Sequence, residues 1–66
     1  MGLNMSYAQG VQALKKNKIF LAENIFKELI SKNFNDLKSR FALASLYLKI
    51  HEPYKARAVF SQIIEN

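Results

Sequence analysis

The sequence repeats itself with a period of 34 residues, and this period constrains the fold more than any other feature. Shifting the 66-residue chain by 34 positions brings identical residues together at seven places. The identical pairs are Leu3/Leu37, Ala8/Ala42, Leu14/Leu48, Lys15/Lys49, Ala22/Ala56, Phe26/Phe60 and Ile30/Ile64. A fixed period of this length is typical of proteins whose repeats stack and bury a shared core. We therefore predict a single domain, 1–66, with repeats at about 3–36 and 37–66.

Apolar residues recur at helical spacing in four segments, and no segment alternates with a period of two. The first helix is expected to begin near Tyr7 and to end at the break formed by Lys15–Lys18. The second carries its apolar stripe up to Ile30, the third spans about 37–49, and the fourth follows Pro53. Connections this short force neighbouring helices to be antiparallel. The predicted fold is all-α, with two stacked helix-turn-helix hairpins.

Local signals mark where these helices begin, end and face inward. Asn17 tolerates the left-handed backbone that ends many helices, and Pro53 suits the first turn of a helix. Asn35 or Asp36 is a suitable N-cap for the third helix. For that helix we predict an inward stripe formed by Phe41, Leu43, Ala44, Tyr47 and Leu48.

The residues at equivalent repeat positions also carry a family resemblance. The second repeat contains Leu43-Ala44-x2-Tyr47 and Ala56-x3-Phe60, while the first retains Gly10 and Ala22-x3-Phe26. In this pattern the chain resembles the tetratricopeptide repeat (TPR) family. The resemblance implies a fragment of a right-handed α-solenoid. The departures from the family pattern are Ser6 and Arg40 at the large apolar position, Gln9 for Leu, Ala13 for Tyr and Phe34 for the closing Pro.

The same resemblance implies a binding groove. In TPR proteins the first helix of each repeat lines a concave surface that holds a peptide segment, so we expect a non-catalytic scaffold or adaptor that binds a protein or peptide. The groove positions that carry over are Asn4, Tyr7, Val11, Leu14, Lys15, Lys38, Phe41, Ser45, Leu48 and Lys49. Leu14 and Leu48 are equally compatible with a place between helices in the core. The mixture of apolar and basic groups suits a peptide with apolar anchors and some negative charge.

A second hypothesis comes from the net charge of +5. Lys15, Lys16 and Lys18 lie at the first hairpin turn, and Lys49 and His51 are placed similarly at the second. Stacked repeats would align these residues as a basic ridge able to contact phosphates of a nucleic acid. The alternative interpretation is that lysines near the C-terminal ends of helices interact favourably with the helix dipole and keep an apolar chain in solution. We expect nucleic-acid binding to be the lesser hypothesis.

The sequence offers little for catalysis or for a cofactor. It has no cysteine and a single histidine, His51, so a thiolate metal site or a histidine cluster cannot form. No Gly-rich phosphate loop is present, and no nucleophile has an evident base beside it. We therefore expect no enzyme activity, no cofactor and no metal. No apolar run is long enough to span a membrane, and we expect a cytoplasmic protein.

The end of the second repeat carries more apolar side chains than one preceding hairpin covers. Stacked repeats usually close with a polar capping helix, and we expect the second repeat to lack one. An exposed apolar surface of this kind marks an association site. We therefore expect self-association, most simply as a dimer, or membership of a longer TPR array. The predicted self-association face consists of Val59, Phe60, Ile63 and Ile64.

Overall fold

The computed structural model describes the backbone of residues 6–65 and the side chains of residues 6–63. Within this range, the helices are α1 (Tyr7–Lys15), α2 (Ile19–Lys32), α3 (Leu37–Lys49) and α4 (Pro53–Glu65). No strand occurs among residues 6–65, so the prediction of an all-α chain is confirmed. In the same range, no helix combines the length and the apolar content that crossing a membrane requires.

Side-chain caps begin two of the helices. Ser6 Oγ accepts a hydrogen bond from the Gln9 backbone N–H at 3.2 Å, and Gln9 Oε1 accepts one from the Ser6 N–H at 2.9 Å. This reciprocal capping box satisfies two N–H groups that the helix itself leaves free. At α3, the Asp36 carboxylate accepts from both the N–H and the hydroxyl of Ser39, at 3.0 and 2.8 Å. Asp36, one of the two predicted candidates, is therefore the N-cap of α3.

The two hairpin turns have the same geometry, 34 residues apart. Asn17 and His51 are both left-handed, with φ values of 62° and 61°. Each turn also contains the two backrunning hydrogen bonds of a Schellman motif, at 2.8 Å and at 3.0–3.1 Å. Their donors and acceptors are Lys18 to Ala13, Asn17 to Leu14, Glu52 to Tyr47 and His51 to Leu48. The sequence period is thus a structural period at the turns.

Helix α3 is the centre of the packing. It lies against α4 within its own hairpin, and it also packs on α2 and, over a smaller area, on α1. Helix α1 pairs with α2 to form the other hairpin. In the described part of the chain, α4 packs on α3 alone. One side of α4 therefore has no neighbouring helix there.

Because α3 has neighbours on several sides, its buried surface is broader than one stripe. Leu43, Ala44 and Tyr47 are buried as predicted, but Phe41 and Leu48 are half exposed, so that part of the predicted stripe is wrong. The additional buried residues are Ser39, Arg40 and Leu46. A stripe read from one helix at a time cannot show that a third helix lies against its flank.

Small residues let the helices approach closely in the core. Ala22, Ala44 and Ala56 are at most 1% exposed. Gly10 is also buried, and a Cβ atom built there would lie only 2.5 Å from Cε1 of Phe26. The fully buried Phe26 ring therefore occupies the space that any larger residue at position 10 would need.

Candidate peptide-binding face

The predicted groove residues that the structure describes lie along one side of α1 and one side of α3, and we call the surface they form the α1/α3 face. On α1 the described members are Tyr7, Val11, Leu14 and Lys15, and on α3 they are Lys38, Phe41, Ser45, Leu48 and Lys49. Both sets follow helical spacing, so each forms one stripe. The Lys38 ammonium lies 5.0 Å from the centre of the Tyr7 ring. This cation–π contact joins the two stripes into one surface.

Two aromatic pairs support this face, and they are related by the repeat. The Tyr7 ring lies 6.0 Å from that of Phe26, and the Phe41 ring lies 6.1 Å from that of Phe60. Tyr7 and Phe41 occupy equivalent positions, as do Phe26 and Phe60. Tyr7 is 36% exposed and Phe41 is 50% exposed. Each outer ring is thus held by an inner ring and still presents apolar surface to solvent.

The charged groups on the α1/α3 face are all cations. Lys15, Lys38 and Lys49 are exposed, and none of the positions that define the face is a carboxylate. Ser45 is exposed between Phe41 and Leu48 and adds a hydroxyl. The face therefore combines apolar anchor sites with a positive rim, which favours ligands that carry negative charge.

The structure places the other predicted residues less uniformly. Val11 and Leu14 are partly buried and pack on the core, whereas Leu48, the repeat equivalent of Leu14, is 51% exposed. Asn4 and the side chain of Ile64 lie outside the described residues. Of the predicted self-association face, Val59 is buried within the chain itself. Phe60 and Ile63 are partly exposed.

A hydrogen-bonded cluster fixes α3 against α2 and so positions the α1/α3 face. The Tyr47 hydroxyl donates to Glu23 Oε2 at 2.7 Å, and the Lys27 ammonium lies 3.3 Å from the same oxygen. The hydrogen bond from Tyr47, opposed by burial and assisted by Lys27, lowers the pKa of Glu23. Burial and the adjacent Glu23 carboxylate raise the pKa of Tyr47 to about 12. Lys55 lies 5.7 Å above the Tyr47 ring.

Arg40 is a second anchor that the sequence did not reveal. Its guanidinium is buried, and it donates through Nε and Nη2 to the Phe34 carbonyl, at 3.0 and 2.8 Å, and through Nη1 to Gln62 Oε1. It also lies 4.4 Å from the centre of the Phe34 ring. These contacts tie the start of α3 to the α2–α3 connection and to α4. The sequence signal was a charged residue at a position where the TPR pattern has a large apolar one.

Two cavities lie away from the α1/α3 face. The larger, of about 410 Å³, lies between α1 and α2. It is lined by Ala8, Gln9, Gln12, Ala13, Lys16, Lys18, Leu21 and Ile25. The smaller, of about 300 Å³, is lined by Phe34, Asn35, Leu37 and Ile63. Sequence reasoning predicted neither, because each depends on how two helices or a helix and a loop meet.

Among the described residues, no three histidine, aspartate or glutamate side chains come close enough to hold a metal ion. Comparison of the sequence with protein-family models finds no match, and comparisons with curated proteins and with solved structures find none either.

Proposed function

We propose that this chain is a non-catalytic, TPR-like interaction module, a right-handed α-solenoid fragment that binds a protein segment along its α1/α3 face. The repeated hairpin turns at Asn17 and His51 support the repeat architecture. The nesting of α3 against both α1 and α2 also supports it, because stacked hairpin repeats bury their shared core in this way. The role is that of a scaffold or adaptor.

The observation that carries the proposal is the duplicated aromatic pair. Tyr7 and Phe41 present two partly exposed rings on α1 and α3, and each packs against an inner ring, Phe26 or Phe60. Rigid aromatic side chains bind partners well because little conformational entropy is lost on binding. Two such anchors on one surface match a ligand with two spaced apolar side chains.

The lysines of the α1/α3 face indicate the charge of the ligand. Lys38 lies over the Tyr7 ring, and Lys15 and Lys49 stand at the C-terminal ends of α1 and α3. A segment with aspartate or glutamate between or beside its apolar anchors would complement this rim. We therefore propose an acidic, amphipathic peptide segment as the ligand class.

Selection from a phage-displayed library of random linear peptides tests the proposal. We expect enrichment of peptides with apolar and acidic residues, and backbone NMR shifts on titration that cluster on α1 and α3. Replacing Tyr7 by Ala should lower the affinity of the chain for the selected peptide by at least about tenfold. Tyr54→Ala is the matched control, since Tyr54 is an 84% exposed tyrosine outside this face.

Three outcomes would oppose the proposal. Equal losses in Tyr7→Ala and Tyr54→Ala would show that binding is not specific to the α1/α3 face. A library that yields no binder would remove the peptide ligand. Shifts confined to Lys15, Lys16, Lys18 and Lys49 on titration with generic DNA or RNA, without peptide binding, would favour the nucleic-acid hypothesis instead.

A further inference from the structure

The two hairpins differ in one respect: α3 covers the first, whereas the second has no helix on the corresponding side in the described part of the chain. Phe26 is fully buried, but its repeat equivalent Phe60 is partly exposed. Leu14 is partly buried, but Leu48 is 51% exposed. We call the surface formed by Leu48, Arg57 and Phe60 the α3/α4 end face. Within the repeat frame, it is the surface that would receive a helix in the way that α1 and α2 receive α3.

Position 57 determines what kind of helix this end face accepts. On the covered hairpin the equivalent residue is Glu23, which accepts the hydrogen bond from Tyr47 of the seated helix α3. On the end face this position is Arg57, which is exposed and forms no ion pair with any described residue. A carboxylate needs a hydrogen-bond donor on the helix that packs against it, whereas a guanidinium needs an acceptor. The seated helix must offer an acceptor, ideally a carboxylate, where α3 offers its phenol.

A second copy of this chain fits the end face poorly. The apolar residues Leu43, Leu46 and Ile50 of α3 have polar or charged equivalents in α1. These equivalents, 34 positions earlier, are Gln9, Gln12 and Lys16. A second copy docking through α1 would therefore present polar groups and a cation. Two end faces docked on each other would give Arg57 no carboxylate among the residues that define the face. Charge complementarity favours a different protein.

We propose that the α3/α4 end face seats an amphipathic helix of a partner protein, which packs an apolar stripe on Leu48 and Phe60 and places a carboxylate against Arg57. This inference uses the repeat geometry and does not depend on peptide binding at the α1/α3 face. The two surfaces share Leu48, but experiment can distinguish them because Tyr7 and Lys38 belong only to the α1/α3 face and Arg57 only to the end face.

Charge reversal at Arg57 tests the proposal with a defined probe. The probe is a fluorescent synthetic peptide with the sequence of residues 37–49, made with Tyr47→Glu and, separately, with Tyr47→Lys. In anisotropy titrations, the wild-type chain should prefer the Glu peptide by about tenfold or more. The Arg57→Glu chain should prefer the Lys peptide. Lys32→Glu is the matched control, since it makes the same change in net charge at an exposed residue of α2.

Each alternative outcome overturns the proposal. Equal affinity of the wild-type chain for the two peptides would remove the role of Arg57. A reversal of preference in Lys32→Glu would show that net charge alone selects the peptide. Absence of saturable binding by either peptide would show that the face seats no such helix. A wild-type dimer in light scattering that neither peptide dissociates would show that a second copy occupies the face. Tyr7→Ala should leave the preference unchanged, so a failure here is distinct from a failure at the α1/α3 face.

Discussion

Replacing Gly10 by Ala should destabilise the chain, although the same substitution in an exposed helix is stabilising. Gly→Ala normally favours a helix by about 1 kcal/mol. At Gly10, however, the new Cβ would lie 2.5 Å from Cε1 and 2.8 Å from Cζ of Phe26. Non-bonded carbon atoms prefer about 3.5–4.0 Å, so the ring must move by about 1 Å.

The Phe26 ring has little room to make that movement. It is fully buried and packs against the Tyr7 ring. Overpacking in a dense core costs about 1–3 kcal/mol, and a fixed ring places this case in the upper part of that range. Subtracting the helix gain leaves a net loss of about 1–2 kcal/mol. For a domain of this size, each kcal/mol corresponds to roughly 4–8 °C in Tm.

Urea and thermal unfolding followed by circular dichroism measure the effect. Asn24→Ala, at an exposed position of α2, is the control for helix propensity and should stabilise the chain by about half a kcal/mol. The double variant with Phe26→Leu tests the cause. Shortening the ring should relieve the clash and give a favourable coupling of about 1 kcal/mol in a double-mutant cycle. A stabilised Gly10→Ala chain, or a loss that Phe26→Leu does not reduce, would refute the reasoning.

Three further predictions concern the turns and the two buried anchors. His51→Gly should stabilise the chain by about 0.5–1 kcal/mol, because His51 has a φ of 61° and glycine adopts this backbone without strain. Asn17→Gly should stabilise it less, since asparagine adopts this backbone more readily than histidine. Urea unfolding of both variants checks which one is stabilised more. Arg40→Met should cost about 1–3 kcal/mol, because it removes the hydrogen bonds that the buried guanidinium donates to the Phe34 carbonyl. A neutral result in the same assay would contradict this role. The Tyr47–Glu23 contact should make stability depend on pH at both extremes. Because the pKa of Tyr47 is raised, its contribution to the free energy of unfolding is complete below the unfolded pKa of about 10 and is lost as the pH rises towards 12. Because the pKa of Glu23 is lowered, its contribution is lost as the pH falls below about 4.5. Thermal unfolding of Tyr47→Phe across pH should lack the alkaline loss, and an unchanged alkaline profile would exclude Tyr47 as its origin.

Helix periodicity and the repeat were sufficient to predict the four helices and the spacing that places side chains on one side of α1 or of α3. Both are local properties, because the spacing of side chains along one helix determines which of them lie together. The repeat also relates the backbone conformation of His51 to that of its equivalent, Asn17. Asparagine at the equivalent position, Asn17, is a stronger sign of a left-handed helix end than the histidine itself. The period therefore carries structural information that residue type alone does not.

The buried anchors could not be predicted, because they depend on contacts between elements distant in sequence. Arg40 was recognised as a departure from the TPR pattern, yet its hydrogen bonds to the Phe34 carbonyl and to Gln62 require the α2–α3 connection and α4 to be in place. Phe41 and Leu48 illustrate the converse. Their spacing is compatible with the core or with the surface, and only the position of α3 between its neighbours decides between the two.

Among the described residues, α4 packs on no helix other than α3, and this has a dynamic consequence. Where one helix contacts a single neighbour, it can open locally at a lower free energy than the elements it leaves behind. Amide hydrogens of α4 should therefore exchange with solvent faster than those of α3, whose neighbours lie on several sides. A partner bound across α3 and α4 would slow this exchange, since binding to the closed form opposes opening. The exchange rate of α4 is thus a reporter of occupancy at this end of the molecule.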